Sequence, residues 1–151
     1  MTAREEWEAL AQRCREATGP NREIDLALAR TVDAIVMRQR DDNTGADEYT
    51  YWKFTGSIDH IVSLIEKTLP GWAWKIGTCS VSDDAWLVPD FNCPTHGARL
   101  LEQFGPVESG SIWDQGIDID RRPPGNVALA LCEAYCEARA AIARKSGKEG
   151  G

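Results

Sequence analysis

The stretch Gly125-Asn126-Val127-Ala128-Leu129-Ala130-Leu131-Cys132-Glu133-Ala134 constrains this chain more than any other. Asn126 is a good N-cap, because its side-chain oxygen accepts a hydrogen bond from an orphan amide one turn into a helix. The run behind it is nearly all Ala, Leu and Cys. Only Glu133, Tyr135 and Glu137 interrupt it before it continues through Arg139 to Arg144. That pattern predicts a helix with one wide apolar face, which closes a domain against its core and performs no chemistry itself.

The 151 residues fit a single domain, read as residues 1–145, with a flexible polar tail at 146–151. With 42% apolar and 27% charged residues, the chain can bury a core without disulfides or metal. Its formal charge is -7 and its pI about 4.8. Phosphate repels such a chain, which argues against direct nucleic-acid binding and against anionic membrane surfaces. Met1 to Trp7 is polar and charged with no apolar core behind it, and no apolar run reaches spanning length, so the expected location is the cytosol. Five cysteines without framework spacing suit reduced thiols.

Thr2 with Glu5 predicts a capping box, and Trp7, Leu10, Ala11, Cys14 and Ala17 repeat at helical spacing up to Gly19-Pro20. Asn21 caps a second helix whose stripe, Ile24, Ala27, Leu28, Thr31, Val32 and Ile35, runs to about Arg38. An acidic loop follows from Asp41 to Glu48, and Tyr49 to Thr55 reads as an extended segment or short strand. Ser57 caps a third helix with Ile58, Ile61, Val62, Ile65 and Leu69 on its buried face, stopped by Pro70-Gly71. Trp72 to Ile76 and Ala85 to Val88 read as a hairpin, with Pro89 ending it. Ala98 to Phe104 reads as a short helix or third strand, and Gly116 to Asp120 as an edge strand. This order predicts an α+β fold, an α/β/α layered sandwich with helices packed on a small antiparallel or mixed sheet.

Three segments carry a family resemblance: Ala17-Thr18-Gly19-Pro20-Asn21-Arg22-Glu23-Ile24-Asp25; Thr55-Gly56-Ser57-Ile58-Asp59 running to Leu69-Pro70-Gly71-Trp72; and Ala128-Leu129-Ala130-Leu131-Cys132-Glu133-Ala134. In this order they resemble the phage ABA sandwich domain family of small bacteriophage proteins, over most of the chain from about Cys14 to Ile142. The resemblance implies an α/β/α layered fold and a phage or prophage origin. It supplies no established activity and no catalytic residues. The acidic loop 41–48 and the segment 93–115 look longer than that family needs, and any function peculiar to this chain is expected there.

Several residue sets invite chemistry. Cys93 and His96, with Cys132 and Cys136 one helical turn apart, have the residue types of a tetrahedral zinc site. The plainer reading is favoured, because free Cys is among the most often buried residue types and Cys93 to His96 reads as a loop. A Cys-His nucleophile pair would draw on Cys79 or Cys93 and His60 or His96. Asp83 with Asp84, and Asp114, Asp118 and Asp120, sit among turn and alternating strand positions and read as solvated surface. The chain has no Gly-rich phosphate loop.

Six tryptophans are many for this length. Trp7, Trp72 and Trp74 suit the core. Trp52, Trp86 and Trp113 flank loops; the plainer and favoured reading is that all six fill the core, and the alternative is that exposed rings near Arg121-Arg122 form a platform for a protein surface or a stacked base. On the platform reading the expected binding residues are Trp52, Trp113, Arg121 and Arg122, with no catalytic residue, metal or cofactor. The expected function is that of a phage-encoded, non-catalytic accessory protein. It binds and inhibits a host cytosolic protein, for instance a defence component such as a CRISPR effector. The alternative is a sponge that sequesters a small nucleotide signal between aromatic and arginine side chains.

Overall fold

A computed structural model describes residues 2–32 and 52–147. The acidic loop 41–48, the far end of the second helix and Tyr49–Tyr51 lie outside the described residues. Among the described residues, six helices and three strands follow in the order α1 (Ala3–Glu16), α2 (Arg22–Val32), α3 (Ile58–Thr68), β1 (Trp72–Thr78), β2 (Asp83–Pro89), α4 (Gly97–Phe104), α5 (Ile112–Gln115), β3 (Ile117–Arg121) and α6 (Val127–Gly147). Helices packed on a small antiparallel sheet make this an α+β fold.

Local chemistry starts the helices where the sequence predicts. The Glu5 amide donates to Thr2 Oγ1 at 3.1 Å while the Thr2 amide donates to Glu5 Oε1 at 3.2 Å, a complete capping box. The Ile24 amide donates to Asn21 Oδ1 at 3.0 Å, the His60 amide to Ser57 Oγ at 3.3 Å and the Leu129 amide to Asn126 Oδ1 at 3.0 Å. Gly71 ends α3 at φ 88°, and a Cβ there would lie 2.5 Å from that of His96. Only glycine lets α4 approach this turn so closely.

The sheet order is β1-β2-β3, antiparallel throughout. The hairpin and the edge strand are where the sequence predicts, and Ala98 to Phe104 resolves as helix. One expectation is corrected. Of the segment read as extended or a short strand, the described residues 52–55 include no strand, and Phe54 to Gly56 form a turn closed by the Gly56 amide donating to Lys53 O at 3.1 Å. The alternation there reflects Trp52 and Phe54 hooking inward, both buried and stacked at 5.7 Å between ring centroids. Buried Thr55 then donates its amide and hydroxyl to buried Asp25 Oδ1, at 2.8 and 2.9 Å, and its carbonyl accepts Asn126 Nδ2 at 2.8 Å. One polar knot therefore joins the starts of α2 and α6.

α6 lies at the centre. It packs against β2 and β3 on one side and against α1 and α3 on the other. Every side chain from Ala128 to Cys136 is buried, so the predicted wide apolar face extends round the whole circumference of this stretch. The small Ala and Cys residues let sheet and helices approach it closely. The helix also runs on through Gly147, into the segment read as tail.

Candidate functional site

The sheet turns one face toward α6. Along β3, Ile117 and Ile119 point inward and are buried, while Asp118 and Asp120 point outward. The register places Lys75, Trp86 and Asp118 in one row across the outer face, and Gly77, Asp84 and Asp120 in the next. Lys75, Asp84, Asp118 and Asp120 are exposed and Trp86 is half-buried. Lys75 Nζ sits 5.2 Å above the Trp86 ring. α5 laps one end of this face, where Trp86 Nε1 donates to Gln115 O at 2.9 Å. Gly116 (φ 88°) follows directly, and a Cβ there would meet Trp86 Nε1 and Val88 Cβ at 2.9 Å. Asp84 and Asp120 are direct cross-strand partners, an arrangement of like charges that costs stability.

Beside β3 lies a groove of about 380 Å³, lined by Asp118 to Arg122 on one wall and by Arg15, Glu133 and Glu137 on the other. It contains three arginines and four carboxylates. Arg121 is committed to structure. Its guanidinium donates to Cys14 O at 2.8 Å and Ala17 O at 2.7 Å, capping the carbonyl end of α1. Arg122 is 64% exposed and pairs with Asp120 at 3.1 Å. Arg15 bridges the two acids of α6, at 3.0 Å to Glu133 Oε2 and 3.2 Å to Glu137 Oε2. Burial and the neighbouring Glu133 carboxyl push the Glu137 carboxyl above its ordinary pKa, against the pull of Arg15.

The four expected binding residues do not converge. Trp52 is 5% exposed, packed on Phe54 and edge-on to His60 at 5.1 Å, so it offers no platform. Trp113 is half-buried in a cluster with Trp72 at 6.1 Å and Phe104 at 4.6 Å. Arg121 and Arg122 share the groove, and of this pair Arg122 is the one with its side chain toward solvent. An aromatic-and-arginine cleft for a nucleotide is not built from these four residues.

The other constellations also separate. Cys132 and Cys136 are fully buried, and burial pushes both thiols well above their usual range. His96 sits at the start of α4, over Gly71, and Cys93 in the turn before it. Among the described residues no three His, Cys, Asp or Glu side chains converge as metal ligands. Cys93 Sγ lies 3.6 Å from Thr95 Oγ1, and the His96 ring lies 3.3 Å from Arg99 Nη2. His60 Nδ1 accepts the Lys53 amide at 2.9 Å, and burial lowers its pKa, so it is a neutral tether for the Trp52 turn.

Asp83, read as solvated surface, is a correction: it is buried. It accepts the Gly125 and Asn126 amides at 2.8 and 2.7 Å and the Thr78 hydroxyl at 2.6 Å. These hydrogen bonds hold its carboxyl below the usual range. The signal that sequence reasoning passed over is Glu133 with Glu137, two acids one turn apart inside an Ala-Leu-Cys run.

No family model matches this chain, and neither a curated protein nor a solved structure shows significant similarity to it. No helix among the described residues is long and apolar enough to cross a membrane.

Proposed function

We propose that this chain is a non-catalytic binding module that docks a basic protein surface on the outer face of its sheet. The observation that carries this reading is the row Lys75–Trp86–Asp118 beside the opposed pair Asp84 and Asp120. A half-buried indole flanked by Lys75 on one side and Asp118 on the other, with Asp84 and Asp120 in the next row, has the anatomy of an interface with an aromatic anchor and a charged rim. Asp120 is already paired with Arg122, which leaves Asp84 and Asp118 as the exposed carboxylates of this face open to a cation. The net charge of -7 favours the same partner through long-range steering. The resemblance to phage sandwich-domain proteins points to a host protein as that partner. A nucleic-acid-handling defence effector fits the chemistry, since such machines carry basic channels.

The test is affinity capture from a bacterial host lysate with wild-type protein and the Asp84→Lys/Asp118→Lys variant, followed by binding kinetics on the captured protein. Capture by wild type, lost in the charge-reversed variant at unchanged melting temperature, is expected. Association should also slow as salt rises, because exposed charges are screened beyond about 8–10 Å. Equal capture by both proteins would remove the outer face from the interface.

A further inference from the structure

The two edges of the sheet, β1 and β3, differ in kind. β3 carries Asp118 and Asp120 and ends in Arg121 and Arg122, charges of the sort that guard an edge against further strands. β1 carries a single charge, Lys75, and no proline. The register fixes which of its backbone groups are open. The Cys79 amide donates to Ser82 O at 3.0 Å, so Thr78 and Asp83 form a non-hydrogen-bonded pair. By antiparallel alternation, Gly77, Lys75 and Ala73 then spend their backbone groups on β2, while those of Trp74, Ile76 and Thr78 point away from it. Among the described residues no strand pairs with that edge. The Trp74 and Ile76 side chains share the inner face with the core, yet both stay only half-buried.

Gly77 is an independent mark on the same strand. It stands inside β1, where glycine weakens a strand. Among the described residues nothing in the fold calls for it: a Cβ there meets no atom within 4 Å, and its φ lies outside the left-handed region. A glycine of this kind marks a place where another backbone or side chain comes close.

We infer that β1 pairs antiparallel with β1 of a second copy of this chain, joining two three-stranded sheets into one. The two-fold axis that uses all the open backbone groups passes beside Ile76. Ile76 then faces the second copy's Ile76, Trp74 faces its Thr78, and Lys75 faces its Gly77. On the inner face, Trp74 and Ile76 of both copies make one apolar strip. On the outer face, the bare Gly77 leaves a path from Lys75 to the second copy's Asp84, the next residue in that row. Their backbones lie two strand spacings apart, about 10 Å, which extended lysine and aspartate side chains bridge. The symmetry makes this ion pair twice. Centring the axis on Lys75 instead would set like charges directly opposite each other, and centring it on Gly77 would leave Trp74 facing a turn. Asp118, one row away from Asp84, stays open for the basic partner proposed above. The pairing goes beyond that reading and is measured without any partner.

The experiment is analytical ultracentrifugation of the full purified chain from micromolar to millimolar concentration. Wild type should pass from monomer to dimer. Gly77→Lys puts a cation opposite Asp84 within the same chain and against Lys75 of the second copy. It should weaken the dimer about tenfold or more while the monomer melts no lower than wild type. Lys75→Asp should weaken it similarly, and Lys75→Asp/Asp84→Lys, which swaps the pair, should restore it. Asp118→Lys, which removes a carboxylate of the partner-docking face, should dimerise like wild type. A wild-type chain that stays monomeric throughout would overturn the inference. So would a dimer indifferent to Gly77→Lys and Lys75→Asp, which would place the interface elsewhere, or a swapped variant no tighter than Lys75→Asp. Loss of the dimer in Asp118→Lys at an unchanged melting temperature would likewise move the contact from the β1 edge to the outer face.

Discussion

At the scale of single residues, neighbours of the same type have opposite fates. Asp83 and Asp84 are adjacent, and strand alternation sends one inward and the other out. Asp83 holds three donors and ties the start of β2 to the start of α6. Asp84 faces Asp120 in solvent. Asp83→Ala leaves two backbone amides without their charged acceptor and should cost roughly 2–3 kcal/mol. Asp84→Asn removes a like-charge contact and should be neutral or slightly stabilising, within about 0.5 kcal/mol. Urea denaturation of the two variants reads the contrast directly, and equal losses would place both side chains in the same environment. The sequence did not disclose this difference, because Ser80 to Asp84 has the composition of a turn. A buried carboxylate that caps distant amides leaves no local mark on the chain.

At the scale of elements, most starts and stops were legible because they are local. Thr2, Asn21, Ser57 and Asn126 cap the helices they precede in sequence, and Pro70-Gly71 stops the third. What periodicity misjudged depends on packing between elements. In α3 the buried residues are Ile61, Leu64 and Ile65, while Ile58, at the first helical position, is 38% exposed. Ile61→Ala should therefore cost about 2–5 kcal/mol through lost burial and a cavity, and Ile58→Ala under about 1 kcal/mol. Equal costs in chemical denaturation would mean that the helix face is misassigned. Trp52 and Phe54 show the same limit. Their alternation fits a strand, yet two rings two residues apart also suit a turn anchored by Thr55 on Asp25. Of the candidate site, Arg122 was legible as an exposed cation in a loop. The rest was not, because Glu133 and Trp86 take their character from Arg15 and from Gln115, far off in the sequence.

At the scale of the whole molecule, the fold places a titratable pair where the central helix meets the edge strand and α1. Glu137 has a folded pKa above its unfolded value, through burial and the nearby Glu133 carboxyl. The sign follows from proton binding. The folded chain binds this proton more tightly than the unfolded chain, so the contribution to stability is fully present below the ordinary carboxylate pKa. It is lost as pH rises from there through the raised value. Asp83 and His60 run the other way. Both have lowered folded pKa values, so each stabilises above its ordinary pKa, and that stability is lost as pH falls below it. Glu137→Gln mimics the protonated form at every pH. The expected result is a stability advantage of the variant over wild type that grows as pH rises above about 4.5 and levels off once Glu137 is ionised. Below that range the two proteins should coincide, while the losses tied to Asp83 and His60 persist in both. Thermal denaturation across a pH series measures the difference. A pH-independent difference would mean that Glu137 is ordinary and that α1, α6 and β3 meet without a shared proton.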